Sequence, residues 1–478
     1  MQPPRRPQWW GSKGHVVFTV VVFIVLASLD NAAAALIPAM VLPVAETLDT
    51  SETALVVMTG LVILVTALTA VAWGYAGDRS SRKRLLFVGT LIWSLGAFVS
   101  AGADAFWQLF AGQMILAVGL GSIASVGFAV VSDFVAPRRR GLAMSFWGLS
   151  QGLGGLVGGL LASQLGANNF RAPLTFIAFA GLLFAMLYLF TFDAPRGYAE
   201  PQLDTLHEAG IGYEYRIEPE DVPALFRKKT NVWLIIQGFS AQFAYGSLIW
   251  VGLLYQEKVL AEGYDVATAT KVGGLLGAIF QIGALFSILA GYVGDRLQAK
   301  NLSARALLSA AGILGAIPFF LVFFFIPLTG LQVTNGATTA VLIPEVLLEL
   351  VANPYVAAAF VTSVLGLALT SADSPNWFAL ISDINLPEHR GTIFGLGNLA
   401  NGIGRASGNA LVGALAGSIE RAFPPPLNWA VGLATFQIFF LPTGWCYWQA
   451  AKTSPGDITA TRDLLTERAI ATAGETSS

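Results

Sequence analysis

Gly74-Tyr75-Ala76-Gly77-Asp78-Arg79 returns later in the chain as Gly291-Tyr292-Val293-Gly294-Asp295-Arg296. A second pattern follows each copy. Ser132-Asp133, Pro137 and Arg140-Gly141 return as Ser382-Asp383, Pro387 and Arg390-Gly391, with the same internal spacing. One hexapeptide could recur by chance. Two patterns repeated in the same order mark a duplicated chain.

Around these patterns the sequence is strongly apolar. Of 478 residues, 55% are hydrophobic and only 12% are charged, about half the charge of a soluble domain. The apolar residues gather into runs of about twenty, enough to cross a hydrocarbon core of ~30 Å. Twelve spans are expected, near 16–41, 53–76, 85–103, 107–132, 141–165 and 173–192, then 231–253, 271–294, 306–328, 355–381, 391–416 and 428–449. The expected organisation is a six-span half at 1–192, a cytoplasmic loop at 193–230, a second half at 231–449 and a cytoplasmic tail at 450–478. Each hexapeptide closes the second span of its half, and each second pattern joins the fourth and fifth spans.

With both termini cytoplasmic, all but five of the 27 basic residues face the cytoplasm. The exceptions are Arg171, Lys258, Lys271 and Arg421 outside and Arg405 within a span, a bias that obeys the positive-inside rule. The first apolar run continues past Ala35 to Val41, too long for a cleaved signal peptide. Within the central loop, Ile217 to Lys229 reads as a short amphipathic helix on the cytoplasmic leaflet or as a plain tether. Val341 to Val351 is too short to cross and is expected along the outer surface. A net charge of −2 gives no reason to expect a nucleic-acid partner. The single cysteine, Cys446, excludes an internal disulfide framework and any cysteine-based metal cluster, and no cofactor is expected.

Gly74-x-x-x-Asp78-Arg79-x-Ser81-Arg82-Lys83 resembles the signature that the major facilitator superfamily carries between helices two and three, with Ser81 in place of its second glycine. The second copy keeps Gly291, Asp295 and Arg296 but has Ala299 where Arg82 falls. The resemblance implies an all-α membrane protein of twelve transmembrane helices in two pseudo-symmetric six-helix halves, working by alternating access. It also implies a latch that holds the cytoplasmic side closed, formed by Gly74, Asp78, Arg79, Arg82, Asp133, Asp295, Arg296 and Asp383, with Arg82 meeting Asp133. A carboxylate at a neighbouring helix N-terminus gains ~0.3–1 kcal/mol from the dipole. The alternative is that these charges only anchor topology.

Ionisable groups at membrane depth are functional candidates by default. Asp30, Asp373 and Arg405 are the coupling and ion-pair candidates. At 1.5 Å per residue, Asp30 and Arg405 lie ~21 Å from the cytoplasmic helix ends and Asp373 ~13 Å. Asp30–Arg405 and Asp373–Arg405 are both conceivable pairs. The second is favoured at rest, because the spans bearing it are sequential. Asn398, Asn401, Arg405 and Asn409 share one helical stripe, which must face protein or a water-filled cavity. Ser371-Ala372-Asp373-Ser374-Pro375-Asn376 puts a proline into the tenth span, where a break would free a carbonyl. The glycines at 152, 154, 155, 158 and 159 resemble the superfamily's antiporter motif, with Gly155 where that motif has proline, and read more simply as close helix packing.

Asn31, Gln113, Gln151, Gln237, Gln242, Tyr245, Gln281, Asn376, Asn398 and Asn401 are the candidate cavity residues. So little fixed charge suits a small, weakly charged or amphipathic solute, with H+ as the expected driver and symport and antiport both open. The first half resembles spinster-type lipid transporters through Asp30 and Trp93-Ser94-Leu95, but Gln113 and Leu120 stand where that group has an arginine and a glutamate. A lysolipid transporter of that type and a non-transporting sensor are the alternatives. His15, His207 and His389 are far apart and near no nucleophile or metal pattern, so no enzyme is expected. The expected setting is a monomer in the cell membrane.

Overall fold

The computed structural model describes residues 13–39, 44, 47–50, 52–135, 137–165, 169–191, 200–203 and 215–475. Every regular element among them is helical. That follows from the solvent: a backbone in lipid must satisfy its own N–H and C=O groups, and a helix does so within one segment.

The first six spans are α1 (Lys13–Ala39), α2 (Glu52–Arg79), α3 (Arg82–Ala101), α4 (Phe106–Ser122) with α5 (Phe128–Phe134), α6 (Arg140–Leu165) and α7 (Arg171–Tyr188). A π-helical turn at Ile123–Gly127 joins α4 to α5. After a short α8 (Asp221–Leu225), α9 (Lys229–Ser247) runs through a 3-10 turn into α10 (Val251–Ala261). The later elements are α11 (Val266–Phe280), α12 (Phe286–Gln298), α13 (Ala304–Phe325), α14 (Thr339–Ala352), α15 (Pro354–Thr370), α16 (Asp373–Ile384), α17 (Arg390–Ile419), α18 (Leu427–Phe436) and α19 (Phe440–Glu475).

Among the described residues, 10 helices are long and apolar enough to cross a membrane. The fifth and eleventh expected spans are the two beyond them. They are α6 and α17, of 26 and 30 residues, long enough to cross but diluted by glycine and polar side chains. The Ile217–Lys229 stretch forms only the five-residue α8, with Pro219 ahead of it and the Asp221 carboxylate accepting from the Glu218 amide. The 341–351 stretch is α14, too short to span. The tail is no separate element, since α19 continues through Pro455 to Glu475.

Two compact units are present. The first holds Met1–Asn231, Phe378–Leu399 and Pro455–Ser478. Its helices pack through small residues, as membrane helices do when lipid removes the hydrophobic drive between them. Any side chain at Gly96 would strike the Leu116 backbone, and one at Gly119 would strike Trp93. Gly154 and Gly158 press in the same way on the Ser28 and Ala32 carbonyls of α1, which supports the packing account of the glycine-rich fifth span. Phe128 of α5 stacks on Phe394 of α17 at 3.8 Å between centroids.

The second unit holds Val232–Trp377 and Ala400–Ser454. Here Gly404 and Gly408 of α17 seat the Phe239 and Phe243 carbonyls of α9. The α15–α16 break falls at Ser371–Ala372, just before Asp373. Carbonyls on either side of this break find side-chain donors. Ala372 accepts from Asn376 at 2.8 Å and Ser309 at 3.4 Å, and Thr370 lies 3.3 Å from the Tyr245 hydroxyl.

Candidate functional site

In the first unit, Asp78 is fully buried at the end of α2 and caps the start of α17. Its carboxylate accepts from the Gly391 amide at 3.0 Å and the Thr392 amide at 2.6 Å. A helix N-terminus presents unpaired N–H groups and a partial positive charge, so a carboxylate there satisfies both. The approach requires glycine on each side. A Cβ at Gly74 would collide with the Gly391 carbonyl, and one at Gly391 would come within 2.8 Å of Asp78. Arg82, at the first position of α3, donates to Asp78 at 3.1 Å, pairs with Asp133 and reaches the Pro387 carbonyl at 2.6 Å.

The repeated Asp and Arg residues pair across copies. Arg140 of the first copy donates to Asp383 of the second at 2.8 Å, and Arg390 of the second lies 3.5 Å from Asp133 of the first. Glu200, from the stretch after α7, pairs with both arginines at once. Burial alone would push the Glu200 carboxyl up, but the Arg140 and Arg390 guanidinium groups outweigh it and hold it at about 2. Beside this cluster, Lys228 donates to the Ile384 carbonyl at 2.5 Å and to the Thr461 hydroxyl of α19 at 2.8 Å. Burial pushes its ammonium down to about 8, partly offset by Asp457 and Glu388.

Arg79 and Arg296 take no part in the buried cluster. Each lies over the ring of the tyrosine four residues earlier, Arg79 on Tyr75 and Arg296 on Tyr292, on the outer side of its helix. Each is the residue after the buried Asp78 or Asp295, a rotation of about 100° around the helix, so they point away. In the second unit Asp295 accepts from Arg305 at 2.7 Å. Arg305 opens α13 much as Arg82 opens α3, and so replaces the arginine lost at Ala299.

The deep groups are arranged differently from the expectation. The sequential-helix argument favours an Asp373–Arg405 pair, and the structure does not form it. Asp373 sits in a neutral shell, accepting from Tyr447 and from Gln237 at 3.2 Å, with the Tyr245 hydroxyl at 3.2 Å. Arg405 is exposed and, among the described residues, has no acidic partner. The reason is packing: its helix is held on α9 by Gly404 and Gly408, and its own carbonyl rests against Gly246. In the first unit Asp30 is 3% exposed, and among the described residues neither carboxylate oxygen makes a hydrogen bond of normal geometry. The Trp93 indole N–H interacts with it without normal hydrogen-bond geometry, and that N–H and the Ser94 hydroxyl are themselves buried and unbonded.

The cavity candidates divide. Gln113 is buried against α3, donating to Ser100 at 3.0 Å, and Asn31 donates to Ala27 within its own helix. Asn376 is buried against Gly294, a glycine of the second hexapeptide. Asn398 donates to the Ala124 carbonyl of the π-helical turn at 2.6 Å, so it joins helices. Asn409 does likewise, accepting from Trp250 at 2.8 Å. Asn401 packs on Gly238 with its side-chain oxygen unbonded. Gln237 and Tyr245 belong to the Asp373 shell, Gln242 is half-buried and Gln281 is exposed. The Gln151 side chain lies outside the described residues.

The sequence profile of the Major Facilitator Superfamily matches residues 21–408. The chain belongs to that superfamily. Its helices match solved superfamily structures at fold level. The human organic anion transporter MFSD10 (TETRAN) aligns with a TM-score of 0.63 at 15% identity, covering 92% of this chain and 100% of that one. A bacterial homolog of the human lysosomal transporter spinster, inward-facing and unoccupied, aligns at 0.59 and 19% identity, covering 94% and 99%. Among curated relatives, zebrafish (Danio rerio) protein spinster homolog 3 is 22% identical over 391 residues, 78% of this chain and 71% of that protein. The mouse (Mus musculus) sphingosine-1-phosphate transporter SPNS2 is 25% identical over 288 residues, 58% of this chain and 51% of that protein. Within this superfamily fold of two six-helix halves, the residues that sequence reading missed are Glu200, Arg305 and Tyr447. Arg305 had a signal in its place at the start of the ninth span; the other two had none.

Proposed function

We propose that this chain is a proton-coupled transporter of a small, weakly charged or amphipathic solute, working by alternating access in the cell membrane with both termini cytoplasmic. The observation that carries the reading is Asp30, a carboxylate buried at mid-span that, among the described residues, makes no hydrogen bond of normal geometry. A carboxyl whose nearest donor, the Trp93 indole, stands outside normal hydrogen-bond geometry can take up and release a proton without first breaking a strong structural bond. Asp373, by contrast, is held by three neutral donors and serves to position Tyr245, Tyr447 and Gln237. Arg405, exposed at similar depth, suits a water-filled path far better than lipid.

An amphiphile of the lysolipid class is the solute to test first, since a relative is named a sphingosine-1-phosphate transporter. Gln113 and Leu120 remove two charges that spinster-type proteins carry, which makes Asp30 the first candidate for coupling. The test is paired uptake and counterflow in proteoliposomes with an imposed pH gradient. Asp30→Asn should abolish gradient-driven accumulation while leaving counterflow exchange. Continued accumulation by the variant would move the coupling role to Asp373.

A further inference from the structure

Within the second unit, and among the described residues, the Arg405 guanidinium makes no hydrogen bond and no ion pair. It lies deep among protein atoms and is exposed all the same. A side chain that is both lines an internal, wetted space, since one facing lipid would have protein on one side only. The elements around it supply no counter-charge. α9, α17 and α18 contain no acid. Glu388 and Glu420, which flank α17, stand ~25 Å and ~22 Å from Arg405 along the helix. Asp373 is taken up by Tyr447, Tyr245 and Gln237 and does not act on Arg405.

Two neutral side chains beside it are unsatisfied as well. Asn401 stands one turn earlier on α17. Its Oδ1 is buried and unbonded against Gly238, and its Nδ2 is accessible and unbonded. Gln242 of α9 packs on Gly404, the residue before Arg405, where an added Cβ would lie 3.3 Å from the Gln242 Cβ. Among the described residues Gln242 makes no hydrogen bond either. A helical side chain leans over the turn before its own Cα, so Arg405 leans toward this pair. The α9–α17 seam thus gathers a guanidinium fork and two amides whose donors no described residue accepts.

Resting on the transporter reading, we propose that Arg405, with Asn401 and Gln242, binds an oxyanion on the solute, a carboxylate or a phosphate ester, so that the transported amphiphile is an anion. A guanidinium presents parallel N–H groups that match two oxygens of one oxyanion, and such charged hydrogen bonds are roughly twice as strong as neutral ones. One positive charge among neutral donors suits one negative charge. A cationic head would be repelled, and a neutral head would leave the guanidinium uncompensated.

The experiment is equilibrium binding to the purified full chain, with no gradient, of probes that share an oleoyl chain: oleoyl lysophosphatidate, oleate and the neutral monoolein. Wild type should bind at least one of the anions about tenfold or more tightly than monoolein. Arg405→Gln should lose that margin while holding monoolein within about twofold. Asn401→Asp gives Arg405 an internal counter-charge one turn away and should lose the margin too. The two variants guard against one that fails to fold, and unchanged thermal midpoints identify the folded one. The anion whose margin disappears names the oxyanion. A margin that survives in a folded variant would overturn the proposal, as would a wild type that binds neither anion better than monoolein. The transporter reading fails separately, if a chain that binds the anion selectively does not accumulate it in proteoliposomes under a pH gradient.

Discussion

The Asp78 carboxylate receives the backbone N–H of Gly391 at 3.0 Å, so the end of one helix in the first half caps the start of another in the second. Both residues belong to repeated motifs. In the second copy Asp295 accepts from Arg305 at 2.7 Å, as Asp78 accepts from Arg82 at 3.1 Å in the first.

Asp78→Asn should slow transport by about tenfold or more while leaving solute affinity within about twofold. An amide offers one acceptor where two N–H donors and Arg82 converge, and a buried unmet donor costs about 1–3 kcal/mol. Initial uptake rates set beside equilibrium binding at matched expression provide the check. Equal rates would leave the carboxylate with a topological role only.

Gly74→Ala should weaken the same contact without touching any charge. Its methyl would overlap the Gly391 carbonyl, and that atom is backbone and cannot rotate aside. The expected outcome is a lower thermal midpoint, with Gly60→Ala, where nothing lies within 4 Å, as the silent control.

Glu200→Gln should destabilise the chain by about 3–5 kcal/mol, because it leaves part of a buried cluster of arginines uncompensated. The wild-type pH dependence follows from the lowered carboxyl. The stabilisation is complete above the ordinary glutamate range near 4.3 and is lost as pH falls toward about 2. Thermal midpoints measured from pH 6 downward should fall more steeply in wild type than in the variant.

Lys228→Met should flatten the alkaline side of the same profile. A buried ammonium held at about 8 burdens the folded state below that pH, and the burden lifts as pH rises from 8 toward the ordinary lysine value near 10.4. Wild type should therefore gain stability over that window relative to the variant. Parallel curves would show that the amine stays hydrated.

The sequence by itself determined the class of the molecule and several of the charged residues that meet in the buried cluster. Runs of twenty apolar residues leave a membrane helix as the only way to satisfy the backbone. The ordered repeats at 74–79 and 132–141 show that there are two such halves. Asp78, Arg82, Asp133 and Asp383 were legible because charged residues in so apolar a chain are few and recur at fixed spacing. Partner choice was decided only by the tertiary structure. Arg140 and Arg390 each bond the aspartate of the other copy, Glu200 enters from a loop with no repeat to announce it, and Asp373 takes Tyr245 and Tyr447 in place of Arg405. Helix spacing fixes which face of a segment a residue lies on. Which segment that face meets depends on glycines such as Gly391, Gly404 and Gly408, whose missing side chains let one backbone approach another.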